Sequence, residues 1–170
     1  MADIERMFHQ FKEAPEHLDY LLFIWYDTEG RPATYNMTVY LFGTRSSPAC
    51  ATYALRYLAD KLKGISPHNS PPYHYVHQNS YVDDGLTSVY SATETVDRLE
   101  QTKSLCAAGR LRLHEVASNS RAFISKLLRS ECYISLADSD ITSEPLPSER
   151  SPKVVWDTEL RIQFRRSQQT

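Results

Sequence analysis

The segment Tyr81–Asp84 (YVDD) sets two adjacent carboxylates, Asp83 and Asp84, just before a glycine and between apolar flanks. Two acids in a tight turn repel each other and lose hydration, which an Asn-Gly turn would avoid. The pair has two readings. Either the turn is solvated and Asp is simply tolerated there, or a divalent cation neutralises the acids. Mg²⁺ suits the second reading, because it takes a few carboxylates and fills its remaining positions with water and substrate phosphate. A further acid, Asp3, lies in ADIERMF. Alone it reads as a surface acid near a terminus. On a strand end beside the Asp83 turn it would complete a three-carboxylate cluster. Such a cluster can hold two metal ions ~4 Å apart, one activating an attacking oxygen and one stabilising the leaving oxygen of a phosphoryl transfer.

Other chemistry-bearing residues are less specific. LFGTRSSP (Leu41–Pro48) sets a glycine loop before a helix start, a combination that suits an anion but is also a common way to begin any helix. His68, His74 and His77 fall close together in a Pro-rich stretch without a recognised ligand spacing, so they read as loop residues. Tyr53 and Tyr57, one helical turn apart, read as core rather than as a base-stacking platform. No convincing Ser-His or Cys-His pair accompanies the acids. Phosphoryl transfer needs none, since it relies on metals and positioning.

The elements that must position these residues follow from periodicity. Leu18–Tyr26 and Ala33–Tyr40 are aromatic and β-branched runs around DTEGRP, which predicts a hairpin. From Ser47 the spacing becomes helical: Ser47 caps, Pro48 takes the first helical position, and Cys50, Tyr53, Ala54, Tyr57, Leu58 and Leu62 form the stripe up to Gly64. Tyr73–Val82 and Leu86–Tyr90 read as extended runs around an Asp-Gly turn. Ser91 and Glu94 predict a capping box for a helix ending with Gly109 in the left-handed conformation. Arg110–Ala117 alternates as an edge strand, Asn119–Leu128 reads as helix, and Lys153–Trp156 with Glu159–Phe164 reads as a closing hairpin. Hairpins require antiparallel pairing, so the expected class is α+β, an antiparallel sheet with helices packed on one face.

Composition bounds the rest. With 170 residues, 41% hydrophobic and 24% charged, the chain suits one globular domain. Five Gly exclude a collagen-like repeat, and 11 Tyr, 6 Phe and 2 Trp exceed what disordered chains carry. The longest aliphatic and aromatic stretch, within Tyr20–Tyr26, falls far short of the ~20 residues that span a bilayer. The N-terminus shows no secretory pattern, and Cys50, Cys106 and Cys132 are widely spaced, as free thiols in a reducing compartment would be. The expectation is an intracellular, cytoplasmic protein with no membrane partner. A net charge of −2 is low for a domain that holds nucleic acid unaided.

Taken in order, MADIERMFHQF, YNMTVYLFGTRSSPACATYAL, NSYVDDGLTS and GRLRLHEVASNS resemble the palm of a reverse transcriptase, specifically that of Pao/BEL-type LTR retrotransposons. The resemblance spans roughly residues 1–120, with a fainter echo in VVWDTELRIQF. It implies a polymerase-palm-like fold of the DNA/RNA polymerase superfamily and an RNA-directed DNA polymerase, a nucleotidyltransferase. Asp3, Asp83 and Asp84 would be its catalytic, metal-binding triad, holding two Mg²⁺ ions with Mn²⁺ as a substitute. It also implies Phe8 as an aromatic gate against the ribose 2′-hydroxyl, with Ile4, Gly43, Ser47 and Pro48 at the nucleotide and Tyr81 and Val82 near the primer end. Partners of the parent enzyme would be an RNA or DNA primer-template and a deoxynucleoside triphosphate.

The chain departs from that pattern at three places. Glu115-Val116 stand where the family offers Lys-Trp, Thr52 where it often has Asn, and Lys153-Val154-Val155 where Leu-Gly usually precedes the last strands. The resemblance begins at the Asp3 block, so fingers, thumb and RNase H regions are expected to be missing and nucleic-acid binding weak. Expected organisation is a palm-like domain at 1–128, a Pro/Ser-rich flexible linker or insertion at 129–152, and a terminal hairpin with a basic tail (Arg161, Arg165, Arg166) at 153–170. The function expected is a reverse-transcriptase palm fragment. The alternatives are a catalytically silent retroelement remnant, serving as a binding module or without function, and a structural cation site in an unrelated protein.

Overall fold

In chain order the elements are β1 (Ala2–Ile4), α1 (Met7–Gln10), a 3-10 turn (Pro15–Tyr20), β2 (Leu22–Tyr26), β3 (Pro32–Asn36), α2 (Ser47–Lys61), α3 (Pro71–Gln78), β4 (Ser80–Tyr81), β5 (Asp84–Gly85), α4 (Ala92–Ala108), β6 (Leu113–His114), α5 (Arg121–Ile124), β7 (Glu149–Ser151) and β8 (Val154–Trp156). The computed structural model describes residues 1–62, 64, 67–127, 131–132, 149–151 and 154–156. The fold is α+β. Its sheet has the order β4-β5-β1-β6, and every pairing within it is antiparallel.

Strand alternation builds the core. Ala2 and Ile4 are buried while Asp3 between them is not, so successive side chains of β1 go to opposite faces. On the buried face they join Leu113, Ala51 and Leu55 of α2, Val76 of α3, and Leu99 and Leu105 of α4 in one cluster. The helices thus cover the face away from Asp3. Cys132 and Val116 form a bridge at the edge of this cluster, and Cys132 is buried within it. No helix among the described residues is long and apolar enough to cross a membrane.

Several elements differ from expectation, each for a local reason. Tyr73–Gln78 is helical rather than extended: Pro71 and Pro72 start α3, and Pro72 and Val76, four residues apart, are its buried pair. Aromatic content hid that period. In α2 the buried residues are Ser47, Ala51, Leu55 and Ala59, one position away from the expected stripe, because the small alanines let the helix approach its neighbours closely. Tyr53 and Tyr57 consequently stack on the outer face, 71% and 51% exposed, and are not core. Ser47 is the first residue of α2 rather than its cap; it is buried, and its hydroxyl bonds that of Thr44.

The hairpin that carries the acids turns at Val82-Asp83, with Val82 at φ 56, and not at the Asp-Gly step. Gly85 is instead a strand residue. A side chain there would collide with the Tyr75 ring, whose hydroxyl donates to the Ala2 carbonyl on the neighbouring strand at 3.3 Å. Leu86–Tyr90 forms no strand. The Leu86 N–H still bonds the Asn79 carbonyl, but the Asn79 side chain takes the Leu86 carbonyl and ends the ladder. At the end of α4 the left-handed residue is Arg110 (φ 61), not Gly109, whose lack of a side chain admits Leu58.

Ser91 caps α4 by accepting from the Glu94 N–H, while the Glu94 carboxylate pairs with Arg98 at 2.7 Å. The helix expected at Asn119–Leu128 is confined to α5, capped by Ser120. His74 and His77 are on α3 rather than in a loop. β2 and β3 form the expected hairpin as a separate two-stranded sheet, although Leu18–Tyr20 belongs to the 3-10 turn. Val154–Trp156 pairs with Glu149–Ser151, the segment before it, in an antiparallel register. Glu159–Phe164 and Arg161, Arg165 and Arg166 lie outside the described residues, as does most of the expected linker.

Candidate functional site

The register of the sheet puts one transverse row of side chains on the face opposite the helices. Tyr81 is the partner of Asp84, Asp84 of Asp3, and Asp3 of His114. Opposed residues in an antiparallel pair project to the same side with Cβ atoms roughly 4.5–5.5 Å apart. Asp3 therefore stands between Asp84 and His114 in the middle of the sheet. Asp83 joins from the turn, where its carbonyl accepts from the Ile4 N–H at 3.0 Å. Ile4 takes part through that N–H alone, since its side chain is in the core.

Electrostatics follow from the crowding. Burial lifts the Asp3 carboxyl, the charge of Asp83 lifts it further, His114 pulls it back and Asp84 adds a smaller push, leaving it at about 6. Asp83 is raised as well, first by burial and then by Asp84, against hydrogen bonds from backbone N–H groups. The site thus gathers several carboxyls in a partly buried setting. A cation-forming group, His114, stands against them: its Nε2 lies 3.0 Å from Asp3 Oδ1 while its Nδ1 is 3.9 Å from Glu115 Oε1. Glu115 itself is held in the left-handed region at φ 48, which brings a fourth acid to the rim. Among the described residues, no three His, Cys, Asp or Glu side chains are arranged as a ready-made metal-binding group.

His114 is the member that sequence reasoning missed. It alternates with buried Leu113, a faint signal for the outer face, but only the strand register reveals that it meets Asp3. The remaining expected residues divide in two. Tyr81 and Val82 line an open groove of about 440 Å³ together with Pro48, Thr52, Tyr53 and Arg56, so the acid-bearing hairpin and the start of α2 share one wall. Gly43 is left-handed at φ 91 in the loop before that helix, as its residue type allows. Phe8 is buried in the core cluster and meets the exposed Phe42 ring edge-on at 5.7 Å. Comparison with protein-family models, with characterised proteins and with solved structures finds no match to this chain.

Proposed function

We propose that this chain is a reverse-transcriptase palm fragment whose Asp3 and Asp83, with Asp84 beside them, bind Mg²⁺ for nucleotidyl transfer. The observation that carries the reading is the Asp84–Asp3–His114 row with Asp83 in the adjoining turn, which gathers acids far apart in sequence at one place on the sheet. Their donor chemistry suits the ion. Mg²⁺ favours hard carboxylate oxygens and keeps several waters, so one or two acids suffice and a preformed cage is unnecessary. Two carboxyls with raised pKa values, Asp3 on its strand and Asp83 in the neighbouring turn, are what a cation would relieve.

When bound, the ions would activate the primer hydroxyl and stabilise the leaving pyrophosphate. The chain's own residues do the positioning: Gly85 fixes β5 against Tyr75, the Ile4 N–H holds the turn, and the groove between Tyr81 and Arg56 offers aromatic and cationic surface that reaches Val82, the chain neighbour of Asp83.

Primer extension on a homopolymeric RNA template tests the activity. Incorporation in Mg²⁺ or Mn²⁺ that Asp83→Asn and Asp84→Asn abolish supports it; absence of incorporation at every metal concentration rejects it for this chain. One observation favours a second reading, a catalytically silent scaffold: Asp3 Oδ1 is already engaged by His114, and Glu115 adds an anion where triphosphate would approach. Under that reading the chain binds the cation or nucleic acid without incorporation.

A further inference from the structure

Behind the acids, on the helix side of the sheet, lies a cavity of about 540 Å³ bordered by Ala2 and Leu113 of the sheet and by α3, α4 and the turn before α5. Asp3, Asp83, Asp84 and His114 take no part in its wall. Its size falls within the ~300–1,000 Å³ usual for small-molecule sites. Leu86, Leu99 and Phe123 give it apolar walls.

Polar side chains, Asn79, Thr102 and Asn119 among them, make up much of the remaining wall, and two others are unusual. His74 on α3 and Arg98 on α4 both line the cavity, and each brings a buried nitrogen, His74 Nδ1 and Arg98 Nε, with no hydrogen-bond partner among the described residues. Buried polar nitrogens are seldom left unmatched, because each costs about 1–3 kcal/mol, and His74 Nδ1 donates in the tautomer that places the proton there. The outer guanidinium nitrogen of Arg98, whose side chain is 37% exposed, is held by Glu94 at 2.7 Å, and the buried Nε is the donor without a partner. Ser91, Ala92 and Thr95 of the first turn of α4 border the same space, so the positive end of a long helix faces it too.

The geometry points to a second binding site, for a small organic acid: a carboxylate received by Arg98 and His74 at the start of α4, and an apolar body laid against Leu86, Leu99 and Phe123. Water could satisfy the two nitrogens, but it would leave Leu86, Leu99 and Phe123 hydrated. An amphipathic acid meets both demands at once. Glu94 sets the limit on charge, since it neutralises part of Arg98 and disfavours a polyanion such as a nucleotide triphosphate.

The test uses the isotope-labelled full chain and two probes of the same shape, 4-phenylbutyrate and 4-phenylbutan-1-ol. The site predicts that the acid shifts amide resonances in the stretch 86–99 and around 117–123. The alcohol should bind about tenfold or more weakly, because it lacks the charge-assisted bond. Arg98→Gln should weaken the acid about tenfold. Thr95→Trp should abolish its binding by filling the cavity while the melting curve stays native. Equal affinity for acid and alcohol, shifts centred on the ribbon at 22–36, or no binding up to about 10 mM would overturn the proposal. So would unchanged affinity in a natively melting Thr95→Trp. If neither variant melts like the parent, the acid-to-alcohol ratio and the shift map of the unaltered chain decide.

Discussion

Asp3 is the residue on which burial and charge repulsion converge, and its titration has a definite sign. An unfolded Asp ionises near 3.8, whereas folded Asp3 holds its proton to about 6. Below the lower value both states are protonated and nothing is lost. As pH rises between the two, only the unfolded chain releases its proton, so stability falls, and the loss is complete above the higher value. We expect Asp3→Asn to be relatively more stable than the parent at pH 7 than at pH 4 by about 1–2 kcal/mol, allowing for water in the cleft. Urea denaturation with a chelator present checks this; an unchanged difference between the two pH values contradicts it. Thiols offer a second residue-scale check. Burial pushes Cys106 up to about 11 and raises Cys132, while Cys50 is exposed. One thiol should react quickly with a disulfide reagent in the native chain and three after denaturation. The acids could be read from the sequence because adjacent carboxylates at a turn are costly without a partner. His114 could not, because its meaning lies in a register that no local pattern encodes.

At the scale of elements, the short sheet depends on close approach. Gly85 and Ala2 are opposed across β5 and β1, and the Tyr75 phenol lies over both. Gly85→Ala should therefore overpack the junction and cost about 1–3 kcal/mol, measured as a lower denaturation midpoint at unchanged slope. Unaltered stability would show that Tyr75 swings aside. The same junction shows why part of the sequence reading failed. Tyr73–Gln78 carries strand-favouring residues, yet two prolines open a helix and Val76 is drawn into the core, so tertiary burial overrides propensity. The β2–β3 hairpin needed only aromatic and β-branched runs around a polar turn, and α4 only a Ser cap and a long apolar period, so both were visible locally. The turn at Val82-Asp83 was not, since a β-branched residue at φ 56 runs against local preference.

Across the whole molecule, charge and apolar surface are unevenly placed. The β2–β3 ribbon forms its own sheet and exposes Ile24, Trp25 and Tyr26 by 72%, 65% and 64%. Two strands bearing such surface tend to associate. Ile24→Lys should reduce concentration-dependent light scattering while leaving the melting curve in place; equal scattering would remove the ribbon as its source. The acids sit on the sheet face opposite the helices and the cavity lies behind it, so one thin sheet separates two chemically different surfaces. That arrangement depends on which residues oppose one another across strands, which composition and spacing suggest only in part. The claim on which the functional reading rests is that Asp3 and Asp83 share a cation. Its most direct test is an electron paramagnetic resonance titration of Mn²⁺ with the full chain at pH 7. The account predicts bound Mn²⁺ displaced by Mg²⁺ and lost in both Asp3→Asn and Asp83→Asn; binding that survives either substitution, or no binding by the natively folded parent, contradicts it.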